Sequence, residues 1–170
     1  MKTIINENDE QYLEIVEHIL NNKKFNDLDH YFHHGTSRLL HSQRVSYYSY
    51  KVAKKLGLDY ETTAIAGLLH DFYGETKGTS KLHHLYEEYS HPLKAAKNAE
   101  TYFKVSPKIK NIIATHMFPW TLRPTKYIEG WIVNMVDKTV ATYEYSLKFR
   151  YKFSLWTIFL FNILRIGTTK

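Results

Sequence analysis

No cysteine occurs among the 170 residues. Its absence excludes disulfides, thiolate metal sites and a cysteine nucleophile, so any metal must be held by imidazole and carboxylate. Glycine and proline are sparse, at 7 and 4, and no Gly/Ser-rich linker divides the chain, which is one domain by length. The net charge is +6, yet Lys and Arg form no block of five or six. That leaves no nucleic-acid-binding signature, while the balance favours small anionic ligands, phosphates among them. MKTIINENDEQY at the N-terminus has no apolar core of a signal peptide, so the cytoplasm is the default expectation. SLWTIFLFNIL, near the C-terminus, would be roughly 16 Å long as a helix, well short of the ~30 Å hydrocarbon layer, so no transmembrane span is expected.

What is there reads as nearly all helix. Residues 8–22 set Tyr12, Ile15, Val16, Ile19 and Leu20 on one stripe, with Asn8 or Asp9 as the cap. After the loop FNDLDHYFHHGTS, the pattern predicts helices over 37–56, stopped by Gly57, and 60–72, stopped near Gly74. Residues 75–89 are polar and predict a surface loop with a short turn of helix. SHPLKAAKNAETYF opens a fourth helix with Pro92 in its first turn, and SPKIKNIIATH repeats the device with Ser106 and Pro107. Helices over 125–148 and 151–165 complete a single-domain bundle, and no period-2 alternation lasts long enough for a strand. The last helix is apolar almost all round. It is expected to pack on the bundle or against a second subunit as a homodimer, with membrane-surface contact as its other use.

The run AIAGLLHDFYG ends in adjacent His70 and Asp71, which are costly to bury without a partner, a counter-charge or a metal. An HD pair alone carries little, because ten His and six Asp give roughly 0.35 chance occurrences. Its context carries more. His41 continues the stripe Val45, Tyr48, Val52, and His116 follows Ile109, Ile112 and Ile113. Asp137 shares a face with Gly130, Val133, Val140 and Ala141. His70 lies with Thr63, Ala66 and Gly67, small enough to let helices approach closely. His91 precedes Pro92, which biases it out of the helix and makes it a cap with its ring free. Any one of these residues is more simply a bonded core histidine or an ion-paired carboxylate. Five helices that each offer one are another matter, for that is how an all-α protein builds a two-metal site.

The order His41, His70–Asp71, His91, His116, Asp137, with HSQRV, AGLLHD and NMVDKTVA around it, resembles the HD-domain phosphohydrolase superfamily in its H…HD…H…H…D form over about residues 35–145. The resemblance implies an all-α HD bundle holding two divalent metals. His41, His70, Asp71 and Asp137 would hold one, and Asp71, His91 and His116 the other, with Asp71 bridging. The chain is similar to small bacterial HD hydrolases, the symmetrical diadenosine-tetraphosphate hydrolases among them. It departs from these in HDFYGE after the pair and HMFPW after the fourth histidine. The implied activity is hydrolysis of a small phosphorylated metabolite, a nucleotide or dinucleoside polyphosphate; the alternative is a nucleotide-sensing module with little turnover. Iron or manganese is the first expectation, and cobalt, nickel and zinc also suit these ligands.

Around the metals, Asp71 and Lys138 are the catalytic candidates. Lys138 resembles the family's DK and would contact substrate or bond to Asp71. Arg44, one turn from His41, would reach a phosphate or form a surface ion pair. His34, with His33, is a candidate proton donor beside the substrate. Met117, Phe118, Pro119 and Trp120 would stack a nucleobase or wall the core.

Overall fold

The computed structural model describes residues 9–33, 36–74 and 80–166. Seven helices make up most of the described residues: α1 (Glu10–Leu20), α2 (Lys23–Asn26), α3 (Arg38–Lys55), α4 (Tyr60–Leu69), α5 (Lys81–Phe103), α6 (Pro107–Thr115) and α7 (Ile128–Ile166). Two features lie in the stretch expected as a loop: a 3-10 turn over Asp27–His30, and a minimal antiparallel pair, β1 (Phe32–His33) and β2 (Thr36–Ser37). The domain is all-α.

Side-chain caps set most of the starts. Asp9, Ser37, Asp59, Ser80 and Ser106 each accept a hydrogen bond from the backbone N–H three residues on. Gly57, at φ +67°, turns the chain out of α3 where the sequence places the stop. The core forms where α3 packs on α4 and α7, with α6 against α4, α5 and α7. At Gly67 a Cβ would lie 3.0 Å from the Ser46 Cα, so α3 and α4 touch backbone to backbone. Tyr12 locks α1 onto this crossing: its hydroxyl donates to Ser46 Oγ at 2.8 Å, which donates to the Ala64 carbonyl at 2.7 Å.

The structure corrects five expectations. α4 ends at Leu69 rather than 72, making His70 its C-cap and putting Asp71 in the following turn. α5 begins at Lys81 under the Ser80 cap, so the segment around 81–89 is helix and Pro92 sits in its interior. His91 is therefore helical, not a cap: burying Glu87, His91, Ala95, Ala96 and Ala99 along one face outweighs the local bias that a following proline imposes. The two C-terminal helices are one, Ile128–Ile166, because no Gly or Pro interrupts Trp131–Ile166. Finally, the His41 stripe leaves the core beyond Val45, and Tyr48 and Val52 are exposed.

Candidate metal centre

Five helices deliver six side chains to one buried point. His41 comes from the first turns of α3, His70 and Asp71 from the end of α4, His91 from the middle of α5, His116 from the end of α6 and Asp137 from α7. All six are less than 10% exposed. α4 and α6 finish by the same device. The capping histidine folds back and its Nδ1–H donates to the carbonyl three residues earlier, His70 to Gly67 and His116 to Ile113, each at 2.8 Å. Committing Nδ1–H in this way leaves the Nε2 lone pair facing inward, the tautomer a metal ligand requires. The sharp turn after Leu69 brings Asp71 to the same centre as its neighbour His70.

Asp71 lies between two groups. Its Oδ2 is 3.7 Å from His70 Nε2, while its Oδ1 is 3.4 Å from His91 Nε2 and 3.8 Å from His116 Nε2. Asp137 Oδ1 is 3.1 Å from His41 Nε2 and 3.6 Å from His70 Nε2. Two sets, His41–His70–Asp71 and Asp71–His91–His116, each offer ligand atoms lying within 4.8 Å of one another, and they share Asp71. His70, His116 and Asp137 form a third such set.

The chemistry of the donors fits divalent cations. His70 Nε2, which faces Asp71 and Asp137, is buried with no hydrogen-bond partner. The Nε2 atoms of His91 and His116 face each other at 3.2 Å. Imidazole nitrogens and carboxylates converging this closely need protons or a cation between them. With nitrogen and oxygen donors and no thiolate, the cluster suits a first-row transition metal.

Protons partly do this work in the metal-free cluster. Burial pushes His41 down, but its hydrogen bonds to Asp137 and Glu144 prevail and raise it to about 10. His116, fully buried and next to the His70 and His91 rings, is pushed down to about 3 and stays neutral. Burial favours the neutral forms of Asp71 and Asp137, yet the surrounding histidines hold both carboxylates below the usual range.

Two buried residues outside the expected set hold the ligands in place. Glu144 accepts from His41 Nδ1–H at 2.9 Å and from Arg44 Nη1–H at 2.5 Å. Asn134 Nδ2 donates to the carbonyls of His116 and Phe118, at 2.5 and 2.7 Å, fixing the turn that follows α6. Both were within reach of the helical periodicity that marks Asp137: Asn134 lies three residues before it and Glu144 seven after. Tyr73, next to the HD pair, stacks on His91 at 5.1 Å, with Arg38 4.0 Å above the Tyr73 ring.

A cavity of about 280 Å³ opens over the cluster, lined among others by Tyr73, Glu88, Met117, Pro119, Trp120 and Lys138. Lys138 reaches the His116 carbonyl at 3.4 Å rather than Asp71, and partial burial lowers its pKa. Arg44 is not brought here. Its buried guanidinium is committed to Glu144 and borders a separate groove, so it is neither a phosphate contact at this cavity nor a surface ion pair. Phe118 packs edge-on against Trp131, walling the bundle, whereas Trp120 stands exposed at the cavity mouth. His34 lies outside the described residues, and the His33 side chain is likewise not described.

The family model described as HD domain matches residues 38–142, which contain all six clustered residues. No curated protein matches the chain.

Proposed function

The chain belongs to the HD-domain family, and from that premise we propose that it hydrolyses a small phosphorylated metabolite, a nucleotide first among the candidates. The family is of metal-dependent phosphohydrolase type, and the observation that carries the reading is the pair of ligand sets joined through Asp71. In this assignment His41, His70, Asp71 and Asp137 hold one divalent cation, and Asp71, His91 and His116 hold the other, with iron or manganese favoured. Bound there, two cations would neutralise a phosphoryl group and lower the pKa of an attacking water.

The chain's own residues supply the rest. Glu144 keeps the His41 proton on Nδ1, so Nε2 faces the cluster as an acceptor once metal replaces the second proton. Asn134 and the Ile113 carbonyl hold His116 from two sides. Lys138, on the rim, places an ammonium where a phosphoryl oxygen would enter. Trp120 offers an exposed aromatic face at the mouth, against which a base would stack.

The test is metal content by mass spectrometry on protein purified without chelators or a metal column, beside His70→Ala. Close to two equivalents, lost in the variant, supports the reading and licenses a turnover screen over nucleotides and dinucleoside polyphosphates. Near-zero metal in both proteins, even after anaerobic loading with iron or manganese, sinks it. A second reading, a nucleotide-sensing module with little turnover, draws on the withdrawal of Arg44, which leaves Lys138 as the one Lys or Arg among the described residues lining the cavity. Tight nucleotide binding without turnover under any metal would select it.

A further inference from the structure

α3 and α7 leave a second concavity on the flank of the bundle, about 670 Å³, lined by Tyr48, Val52, Trp131, Met135 and Tyr143. Its walls are apolar and solvent-facing. Beyond Glu144, α7 leaves the bundle: the described side chains from Tyr145 to Thr157 are exposed, apart from the half-buried Leu147. At about 100° per residue, Trp131, Met135, Phe149 and Phe153 fall within one narrow sector of the helix. The groove and the projecting half thus present large apolar side chains on one side of α7, in two pairs separated by the polar Thr142 and Ser146.

The charge beside these side chains has one sign. α3 contains no Asp or Glu. α7 contains three acidic residues, all buried and engaged: Glu129 with Lys108, Asp137 in the metal centre and Glu144 with Arg44. Lys51 and Lys55 are exposed beside Tyr48 and Val52, and Lys148, Arg150 and Lys152 beside Phe149 and Phe153. The sequence from Tyr145 to Lys170 carries no acidic residue at all.

We propose that this α3–α7 face docks on an anionic lipid surface, with the aromatic side chains in the headgroup–acyl boundary and the lysines and arginine at the lipid phosphates. An apolar helix face flanked by cations is the composition that such a surface binds. A second copy is the poorer occupant, because a self-complementary contact would set these cations against one another. Nothing here implies insertion across a bilayer, since no described helix is long and apolar enough. The proposal stands whether or not the metal centre turns over a nucleotide.

The experiment is co-sedimentation of the full chain with vesicles of phosphatidylcholine alone and of phosphatidylcholine with one-third phosphatidylglycerol, at low and high salt. Binding to the anionic vesicles only, weakened by salt, is expected. Lys148→Glu with Lys152→Glu, and separately Phe149→Ser with Phe153→Ser, should each weaken it by roughly tenfold or more. Far-UV circular dichroism and metal content identify variants that keep the bundle. The proposal is overturned if the folded wild-type chain ignores anionic vesicles, binds neutral ones equally, or keeps its binding in both variants. A dimer seen by light scattering that both variants dissolve would also overturn it, assigning the face to a second copy.

Discussion

Glu144→Gln removes one charge from the pocket behind His41 while changing almost no volume. In the wild type, Glu144 accepts two charge-assisted bonds, from His41 at 2.9 Å and Arg44 at 2.5 Å, and all three side chains are buried. The amide can satisfy both neighbours in only one way. Its oxygen accepts from Arg44, and its NH₂ donates to His41 Nδ1. His41 must then carry its proton on Nε2, where it points at Asp137 and no longer presents a lone pair to a metal. Making the His41 bond neutral and leaving the buried Arg44 guanidinium without its counter-charge should cost about 2–3 kcal/mol. That is roughly 5–10 °C in Tm for a chain of this size. The tautomer switch should weaken metal binding by roughly 10–100-fold.

Calorimetric unfolding of metal-free protein reads the first effect, and competition with a fluorescent chelator reads the second. Pairing Glu144→Gln with Arg44→Met separates them. The double variant removes the guanidinium left without a counter-charge and should recover much of the stability but none of the affinity. Wild-type metal affinity in Glu144→Gln, or recovery of both properties in the double variant, would refute the tautomer reasoning.

Three further outcomes follow from the same geometry. Metal-free protein should be most stable near pH 6.5, by denaturant midpoint. His116, lowered to about 3, binds fewer protons folded than unfolded and contributes stability that is lost as pH falls below 6.5. His41, raised to about 10, binds more and contributes stability that is lost as pH rises from 6.5 towards 10. A midpoint that climbs between pH 7 and 9 would contradict this. Gly67→Ala should destabilise by about 1–2 kcal/mol despite alanine's helix propensity, because the new methyl meets Ser46 backbone rather than a yielding side chain; an unchanged urea midpoint would disprove it. Lys138→Met should keep its metal content and lower turnover by roughly 10²-fold, measured on whichever phosphorylated compound the screen identifies; equal loss of metal would mean that the residue holds the site together instead.

Four of the six clustered residues are legible because residue type and helical face agree: His41, His70, His116 and Asp137 each lie on an apolar or small-residue stripe, and it is their number rather than any one of them that points to a site. Asp71 is legible only as the neighbour of His70, and His91 only through its place before Pro92, on a cap reading that the helix overturns. Glu144 is equally placed, seven residues past Asp137 and one turn beyond Ala141, but a carboxylate among exposed neighbours carries no signal of its own. The partner of Arg44 is hidden from the sequence for a general reason. A cation on a helix usually reaches solvent, and only the three-dimensional approach of α7 shows that a buried carboxylate waits for it. Pro92 and the supposed break after Lys148 fail in opposite ways. At Pro92 the local bias loses to a capped helix with a well-buried face; after Lys148 no residue enforces a boundary. Tyr48 and Val52 obey helical periodicity yet face solvent, because periodicity identifies a face and says nothing about what lies opposite it.

The continuity of α7 has a consequence for how this chain can change. The same uninterrupted helix carries Asn134, Asp137, Lys138 and Glu144 and then runs on into its exposed half. One inserted residue rotates everything beyond it by about 100°. Placed between Asp137 and Glu144, it would carry the carboxylate away from His41 and Arg44. Placed just after Glu144, it would leave the centre intact and turn Phe149 and Phe153 out of line with Trp131 and Met135. Without a loop to absorb the error, length variants of α7 should be viable mainly as steps of three or four residues, or as whole turns lost from the far end.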